Sequence, residues 1–417
     1  MHLISKGLSC LLCASLLAGS ALPVLAENSA PALIIDTESG ESVDELLSET
    51  VPAWAAEEEA VPTEGEALEL SCKSAVLLEM NSGTVLYEQN AHEKLPIASV
   101  TKIMTLLLIM EAIDAGTITY QDMVTCSAYA ASMGGSQIWL EEGETMSVDD
   151  MLKAICVVSA NDCCAAMAEY LAGSVESFVA RMNEKASALG MDDTQFVDCS
   201  GLSDDGYSSA YDVALMSQAL MQYSDITRYT TIWMDSLRDG KSQLVNTNKL
   251  VRYYDGITGL KTGTTSTAGH NLSATAERDG LKLAAVILGC TTTADRFGGA
   301  RKMLDYGFAN YGVYTPTVEE SELTPVKVLR GTASCVEVTA DPPQPLLVKK
   351  GQEKNIEKTV SLSADVEAPV YADQVVGTVT LSLDGQELAS YNIRAKEEVP
   401  RMTVGAAYCR LLSALIA

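Results

Sequence analysis

The run GLKLAAVILGC at residues 280–290 constrains the fold more than any other feature of this sequence. It is continuously apolar where a half-exposed strand would alternate, so it predicts a strand that is buried on both faces. A second signal lies at residues 74–90, where two apolar stretches flank Asn81, Ser82 and Gly83 and predict a hairpin. Strands at both ends of the segment 74–314, with helical patterns between them, predict an α+β domain with one antiparallel sheet and a helical cluster.

Apolar residues at helical spacing predict helices at 147–172, 174–189, 210–222 and 298–311, and another after Pro96. After about Thr315 the helical patterns stop. Short strand patterns separated by Gly, Pro and Asp follow, which predict a small all-β module. We therefore expect a main domain at 71–315 and a β-rich C-terminal domain at 316–398.

The N-terminal region has two parts of different composition. Residues 1–26 have the pattern of a secretory signal peptide: Lys6, an apolar stretch shorter than a membrane span, and an expected cleavage after Ala26. Residues 27–70 carry thirteen acidic residues and no Lys or Arg, which predicts a disordered acidic spacer whose short apolar pieces are too isolated to build a core. We expect the protein to be exported.

The charge balance narrows the class of partner. The chain has 56 acidic and 28 basic residues, a formal net charge of −28. Such a surface repels a polyanion, so we expect no nucleic acid partner.

The last segment, 399–417, is apolar with only Arg401 and Arg410 as charges. At this length, and with an arginine inside, it is a poor membrane span. It is typical of an amphipathic helix that lies on a membrane surface. The alternative is a terminal helix packed on its own domain.

Metal chemistry finds no support in the sequence. Of eleven cysteines, two lie in the expected signal peptide, and the nine others have irregular spacing and no CxxC pair. With three histidines in the whole chain, neither a disulfide framework nor a zinc site is indicated.

The stretch PIASVTKIMTLLL places Ser99 three residues before Lys102. Residues three apart share a helix face, so the lysine amine can reach the serine hydroxyl and activate it as a nucleophile. Taken alone, this spacing is more typical of a polar first turn of a buried helix.

Two further stretches favour the catalytic interpretation. VVSANDCC contains Ser159 and Asn161, and GITGLKTGTT contains Lys261, Thr262 and Gly263 after a glycine-rich turn. A strand edge with a small glycine lets a substrate backbone approach closely. Ser-x-x-Lys, Ser-x-Asn and Lys-Thr-Gly in this order are the signature of the penicillin-recognising serine enzymes.

The segment from about residue 74 to residue 314 resembles the low-molecular-mass D-alanyl-D-alanine carboxypeptidases, which are serine penicillin-binding proteins of peptidase family S11. The strings SGTVLYEQNAHEKLPIASVTKIMT, MGGSQIWLEEGE, SANDCCAAMAEYLAGS and GLKTGTT carry this resemblance. It implies a β-lactamase/transpeptidase-like catalytic domain. The β module resembles the family's C-terminal domain, and the tail resembles its anchor on the outer face of the cell membrane.

The resemblance also implies roles for individual residues. Ser99 would attack the D-Ala-D-Ala peptide bond of a peptidoglycan stem, and β-lactam antibiotics would acylate the same serine. Lys102 would be the general base, with its pKa lowered by burial and by a neighbouring charge such as Lys261. Ser159 would relay a proton to the leaving D-alanine, and Asn161 would orient Lys102 and the substrate.

The same resemblance places the substrate carboxylate on Lys261 and Thr262 and, through the looser string DRFGGAR, on Arg296. The backbone N–H groups of Ser99 and Thr264 would form the oxyanion hole. No cofactor is implied.

Four positions depart from the family pattern. Ala160 stands where many relatives have glycine, which is a small change of one methyl group. Cys163 and Cys164 follow the second motif, where we expect them to fill the core. His270 stands where an aromatic is usual, and we expect a packed strand side chain.

Two rival functions stay open at this point. A β-lactamase shares the three motifs but needs a glutamate to activate the deacylating water, and no matching Glu-x-x-Leu-Asn string is present. A non-catalytic cell-wall-binding scaffold on the same fold is the other.

Overall fold

The computed structural model describes residues 33–35, 51–56 and 68–416. The expected signal peptide and most of the acidic spacer lie outside these ranges. The strands up to residue 314 are β1 (Leu33–Ile35), β2 (Ser74–Glu79), β3 (Thr84–Gln89), β4 (Met123–Thr125), β5 (Thr145–Ser147), β6 (Met234–Leu237), β7 (Ser242–Val245), β8 (Ile257–Thr265), β9 (Gly269–Arg278), β10 (Leu281–Cys290) and β11 (Tyr311–Tyr314). The helices are α1 (Ala53–Ala56), α2 (Lys102–Asp114), α3 (Ala128–Ala131), α4 (Val148–Val158), α5 (Asn161–Ala172), α6 (Val175–Ala188), α7 (Ala210–Leu220), α8 (Thr227–Thr230), α9 (Leu250–Tyr253) and α10 (Thr293–Asn310), with 3-10 turns at Ala98–Thr101 and Ser224–Ile226.

A five-stranded antiparallel sheet with the order β3-β2-β10-β9-β8 organises the main domain. The apolar run at 280–290 is its central strand, as predicted. Side chains of β10 alternate between two cores, since Val286 and Leu288 face the helical cluster while Leu283 and Ile287 face α10. Because both faces are covered, every residue of β10 except one is buried, which explains the missing alternation in the sequence.

The helical pattern at 147–172 is two helices rather than one. It breaks at Ser159, which adopts a left-handed conformation with φ of 64° at the end of α4. Left-handed backbone is costly for a residue with a Cβ and is retained mostly where a site requires it. Periodicity could not reveal this break, because apolar spacing continues across it.

The acidic spacer is not disordered throughout, so that expectation was wrong for three of its pieces. Strand β1 pairs in parallel with β7, and Leu68 is buried in the core beneath the sheet. Trp54 of α1 stacks on Phe297 of α10 with ring centroids 5.1 Å apart. Short apolar pieces cannot form a core alone, but they can join the edge and face of a domain that already has one.

The C-terminal module packs two sheets around a core of mostly valine side chains. Its strands are β12 (Val326–Leu329), β13 (Cys335–Val336), β14 (Val338–Ala340), β15 (Leu346–Lys349), β16 (Ile356–Leu362), β17 (Asp365–Glu367), β18 (Val375–Leu383) and β19 (Gln386–Ala395), with 3-10 turns at Glu320–Glu322 and Glu353–Asn355. One sheet has the order β14-β19-β18-β16, and the other has the order β13-β12-β17. β15 belongs to neither sheet: it pairs with β11, just after α10, and so links the module to the main domain.

The terminal helix α11 (Val404–Ile416) is shorter than the segment 399–417 expected to form it. Val399 and Arg401 instead pair with Val370 and Gly331 of the β module. Within the described part of the chain, no helix combines the length and the hydropathy that crossing a bilayer requires.

Candidate active site

Ser99 lies on the 3-10 turn that leads directly into α2. The residue before it, Ala98, has a left-handed φ of 50°. Asn271 of β9 donates through Nδ2 to the carbonyl of Pro96 at 3.2 Å, which ties the start of this turn to the sheet. Ser99 is half-buried on this turn, whereas its neighbours Ala98 and Val100 are buried.

Lys102 occupies the first turn of α2 with its side chain completely buried. Its Nζ donates to Ser99 Oγ at 2.9 Å, so the structure brings together the two residues that the sequence paired. Nζ also donates to the main-chain carbonyl of Ser200 at 2.6 Å. These two contacts hold the amine beside the hydroxyl that a general base would deprotonate.

The loop that supplies this carbonyl was not identified from the sequence. Asp198 accepts the main-chain N–H of Ser200 at 2.6 Å, that of Ser203 at 2.7 Å and that of Gly201. A Cβ on Gly201 would overlap the Ala98 carbonyl, so the loop sits directly against the Ser99 turn. The string DCSGLSDDG is typical of an Asp-initiated turn, but a backbone carbonyl as a lysine partner leaves no mark on the sequence.

The break between α4 and α5 presents two polar atoms. Ser159 Oγ and Asn161 Oδ1 are buried and have no hydrogen-bond partner among the described residues. Asn161 is fixed on its other side, since its Nδ2 donates to the Gly134 carbonyl at 2.7 Å. Because buried polar atoms are almost always paired, these two indicate a place where a ligand completes the hydrogen bonding.

Asp162, next in the chain, holds the opposing loop in place. Its buried carboxylate accepts the main-chain N–H groups of Ile138 at 3.1 Å and Leu140 at 3.0 Å. Burial raises the pKa of Asp162, while the backbone hydrogen bonds oppose the shift. This carboxylate therefore fixes residues 138–140 of the loop against the start of α5.

The edge strand β8 supplies the cationic side of the site. Lys261 is 1% exposed, and its Nζ donates to the Thr262 carbonyl at 2.9 Å. The hydroxyl of Thr262 lies 2.7 Å from that of Thr247. Arg296 of α10 is buried and donates through Nη1 to Thr264 Oγ1 at 3.0 Å, which places it beside the third motif.

Gly263 makes a close approach that the sequence did not reveal. The sequence suggested that it admits a substrate backbone. A Cβ at this position would lie 2.7 Å from the Ile97 carbonyl and 2.9 Å from the main-chain nitrogen of Ser99. The missing side chain thus lets β8 approach the Ser99 turn itself, and it brings the two backbone segments of the expected oxyanion hole together.

The residues that depart from the family pattern occupy supporting positions. Cys163 and Cys164 are fully buried in the helical core, as expected, and burial raises the pKa of Cys164 to about 12. His270 is half-buried on β9 opposite Thr264, with 3.5 Å between Nδ1 and Thr264 Oγ1. No group of His, Cys, Asp and Glu suited to a metal ion is present in the described ranges.

Comparisons with known proteins match both domains of the chain. Residues 59–292 match the model of peptidase S11, D-alanyl-D-alanine carboxypeptidase, and residues 311–401 match that of the penicillin-binding protein 5 C-terminal domain. The carboxypeptidase DacF of Bacillus subtilis is 44% identical over 79% of this chain and 86% of its own length. The carboxypeptidase DacC of Escherichia coli is 35% identical over 80% and 86%.

Solved structures of penicillin-binding proteins also superpose on this chain. Penicillin-binding protein 5 from Haemophilus influenzae superposes with a TM-score of 0.68 at 29% identity, covering 81% of this chain and 99% of that one. Penicillin-binding protein D2 from Listeria monocytogenes, in its ampicillin-bound form, has a TM-score of 0.51 at 32% identity and covers 58% of this chain and all of that one.

Proposed function

This chain belongs to the D-alanyl-D-alanine carboxypeptidases of peptidase family S11 and is a serine DD-carboxypeptidase, and we propose that it works through an acyl-enzyme on Ser99. The observation that carries the proposal is the 2.9 Å contact between Lys102 Nζ and Ser99 Oγ, with Lys102 completely buried. Its substrate class is the peptidoglycan stem peptide that ends in D-Ala-D-Ala.

In the acylation step, Ser99 Oγ attacks the carbonyl between the two D-alanines while neutral Lys102 takes the hydroxyl proton. The backbone N–H groups of Ser99 and Thr264 stabilise the oxyanion. The close approach at Gly263 supports this assignment, because it brings β8 against the Ser99 turn. Ser159 passes a proton to the leaving D-alanine, and Asn161 orients the substrate amide and Lys102.

Lys261, Thr262 and Arg296 bind the terminal carboxylate of the substrate. Both cations are buried, so a carboxylate that enters this region gains charge-assisted hydrogen bonds in a water-poor setting. Water then attacks the acyl-enzyme and releases the shortened stem. Penicillins acylate the same serine, which agrees with the β-lactam-bound relative.

The direct test is incubation of the purified protein with a pentapeptide stem and detection of released D-alanine, with Ser99→Ala as control. We expect release by the native protein and none by the variant. Absence of release together with absence of penicillin labelling would indicate a non-catalytic scaffold, and rapid turnover of penicillin would indicate a β-lactamase.

We further propose that the protein is exported and attached to the outer face of the cell membrane by α11. Val404, Tyr408 and Leu411 recur at the spacing of one helix face, and these residues are 89%, 64% and 64% exposed. An exposed apolar face on a helix without acidic residues is suited to the interface of a lipid bilayer.

Because Val399 and Arg401 pair with the β module, the informative truncation removes residues 403–417 only. The truncated protein should no longer sediment with phospholipid vesicles and should be acylated by penicillin at the native rate. Equal sedimentation of both forms would refute the anchor.

A further inference from the structure

Among the nine described cysteines, two lie at the same end of the five-stranded sheet, on neighbouring segments of the chain. Cys290 is the last residue of β10 and is buried. Cys72 precedes β2, the strand beside β10, and is half-buried. The register of β2 with β10, which sets Ser74 opposite Leu288, brings Cys72 next to Cys290, and each thiol shifts the pKa of the other.

The backbone around them explains this proximity. The pairing of β2 with β10 continues past the strand end, since the Lys73 N–H donates to the Leu288 carbonyl at 3.0 Å. A Cβ on Gly289 would lie 3.0 Å from Lys73 Cβ, so the two segments are in close contact at this point. Both cysteines belong to the core on the α10 side of the sheet.

The two thiols differ in their chemistry. The Cys290 thiol lowers the pKa of Cys72, whereas the Cys72 thiol and burial raise the pKa of Cys290. Gln89 Nε2 also lies 3.7 Å from Cys72 Sγ, in position to donate to a thiolate. Cys72 therefore combines partial exposure with the character of an attacking thiol, and Cys290 is the buried partner.

We propose that Cys72 and Cys290 form a redox-sensitive pair that closes to a disulfide when the protein meets a small-molecule disulfide. The Cys72 thiolate attacks one sulfur of the oxidant and releases the first thiolate, which takes up a proton. Cys290 then loses its proton, attacks the Cys72 sulfur and expels the second thiolate, which is protonated in turn. The oxidant is reduced to two thiols, and the two cysteine thiols are oxidised to one disulfide.

The bond would tie the segment that enters the main domain to the end of its central strand. It would close a loop of roughly 220 residues, and long loops gain the most from cross-linking in the chain-entropy account. Cys290 lies two residues before Thr292, the N-cap of α10, so the bond would also brace the start of the helix that carries Arg296.

The test uses the full chain. Reduced protein is incubated with oxidised glutathione, remaining thiols are alkylated, and the protein is digested after Glu, Lys and Arg. We expect peptides 70–73 and 283–296 to be recovered as one disulfide-linked species that dithiothreitol separates. Cys335 and Cys409, which are exposed, serve as internal controls that take up glutathione singly.

Recovery of Cys72 only as its glutathione adduct, with Cys290 alkylated or unmodified, would overturn the proposal. As a second readout, the oxidised protein should unfold about 4 °C or more above the reduced form. That shift should be absent in Cys72→Ser, whose side chain is only half-buried. A linked form that melts at the temperature of the reduced protein would overturn the bracing role.

Discussion

The two sides of the active site differ in backbone structure. Ser99, Lys102, Ser159 and Asn161 lie on turns and helix ends, with left-handed backbone immediately before Ser99 and at Ser159. Lys261 to Thr264 lie in the regular part of edge strand β8, where the register with β9 places each of them. In the mechanism proposed above, the irregular side carries out the chemistry and the regular side recognises the substrate.

This difference predicts how each side responds to mutation. The helical side should be intolerant of any change, because each group there acts on another group of the same cluster. The strand side should lose binding in proportion to the contact removed.

Lys102→Ala should lower the rate constant for acylation by penicillin by ~10³–10⁴-fold, because it removes the proposed general base. Stopped-flow or gel-based measurement of acylation would show this. Lys102→Arg is the matched control: it retains a cation but supplies no base, and it should be equally slow. An arginine variant that acylates normally would contradict the role of Lys102.

Gly263→Ala should slow acylation by about 10²-fold, because the new methyl group forces β8 away from the Ser99 turn. Gly312 in β11 offers a matched strand glycine, since a Cβ there meets nothing closer than 3.8 Å. Gly312→Ala should acylate at the native rate. Equal rates for all three proteins would show that the two sides do not depend on this close approach.

Lys261→Ala should lower kcat/KM for peptides that end in a free carboxylate by roughly ten- to a hundred-fold, which corresponds to ~1.5–3 kcal/mol for a charge-assisted contact. Lys327, exposed on β12, provides the control substitution. Native enzyme that cleaves amidated and free-acid peptides equally well would contradict the proposed carboxylate site.

Asp198→Asn should lower kcat by about three- to ten-fold and the free energy of unfolding by about 1–3 kcal/mol. The amide turns one acceptor oxygen into a donor, so the loop that offers the Ser200 carbonyl to Lys102 loses part of its support. Asp205→Asn, an exposed neighbour, should change neither urea unfolding nor turnover. An Asp198→Asn protein with native kcat and native stability would contradict the supporting role of this loop.

The sequence predicted the strand side better than the helical side, for a physical reason. Strand register and buried apolar runs follow from side-chain pattern, so β10, β8 and the position of Lys261 were accessible from residue types alone. The contacts that hold Lys102 involve the backbone carbonyl of Ser200, and the break at Ser159 is a backbone conformation. Neither depends on a periodicity that a sequence can display.

The same reasoning explains the missed order in the acidic spacer. Composition averages over the thirteen carboxylates between residues 27 and 70, and it predicts no core within the segment. It could not foresee that Trp54 would stack on a helix more than 200 residues away, because that partner exists only in the folded domain.

The central claim is that Lys102 activates Ser99 for acylation. Native protein would be labelled with a fluorescent penicillin, digested, and the labelled residue identified by mass spectrometry. We expect a single acyl adduct on Ser99, absent in Ser99→Ala and slow to form in Lys102→Ala. An adduct on any other residue, or undiminished labelling of the Ser99→Ala protein, would contradict it.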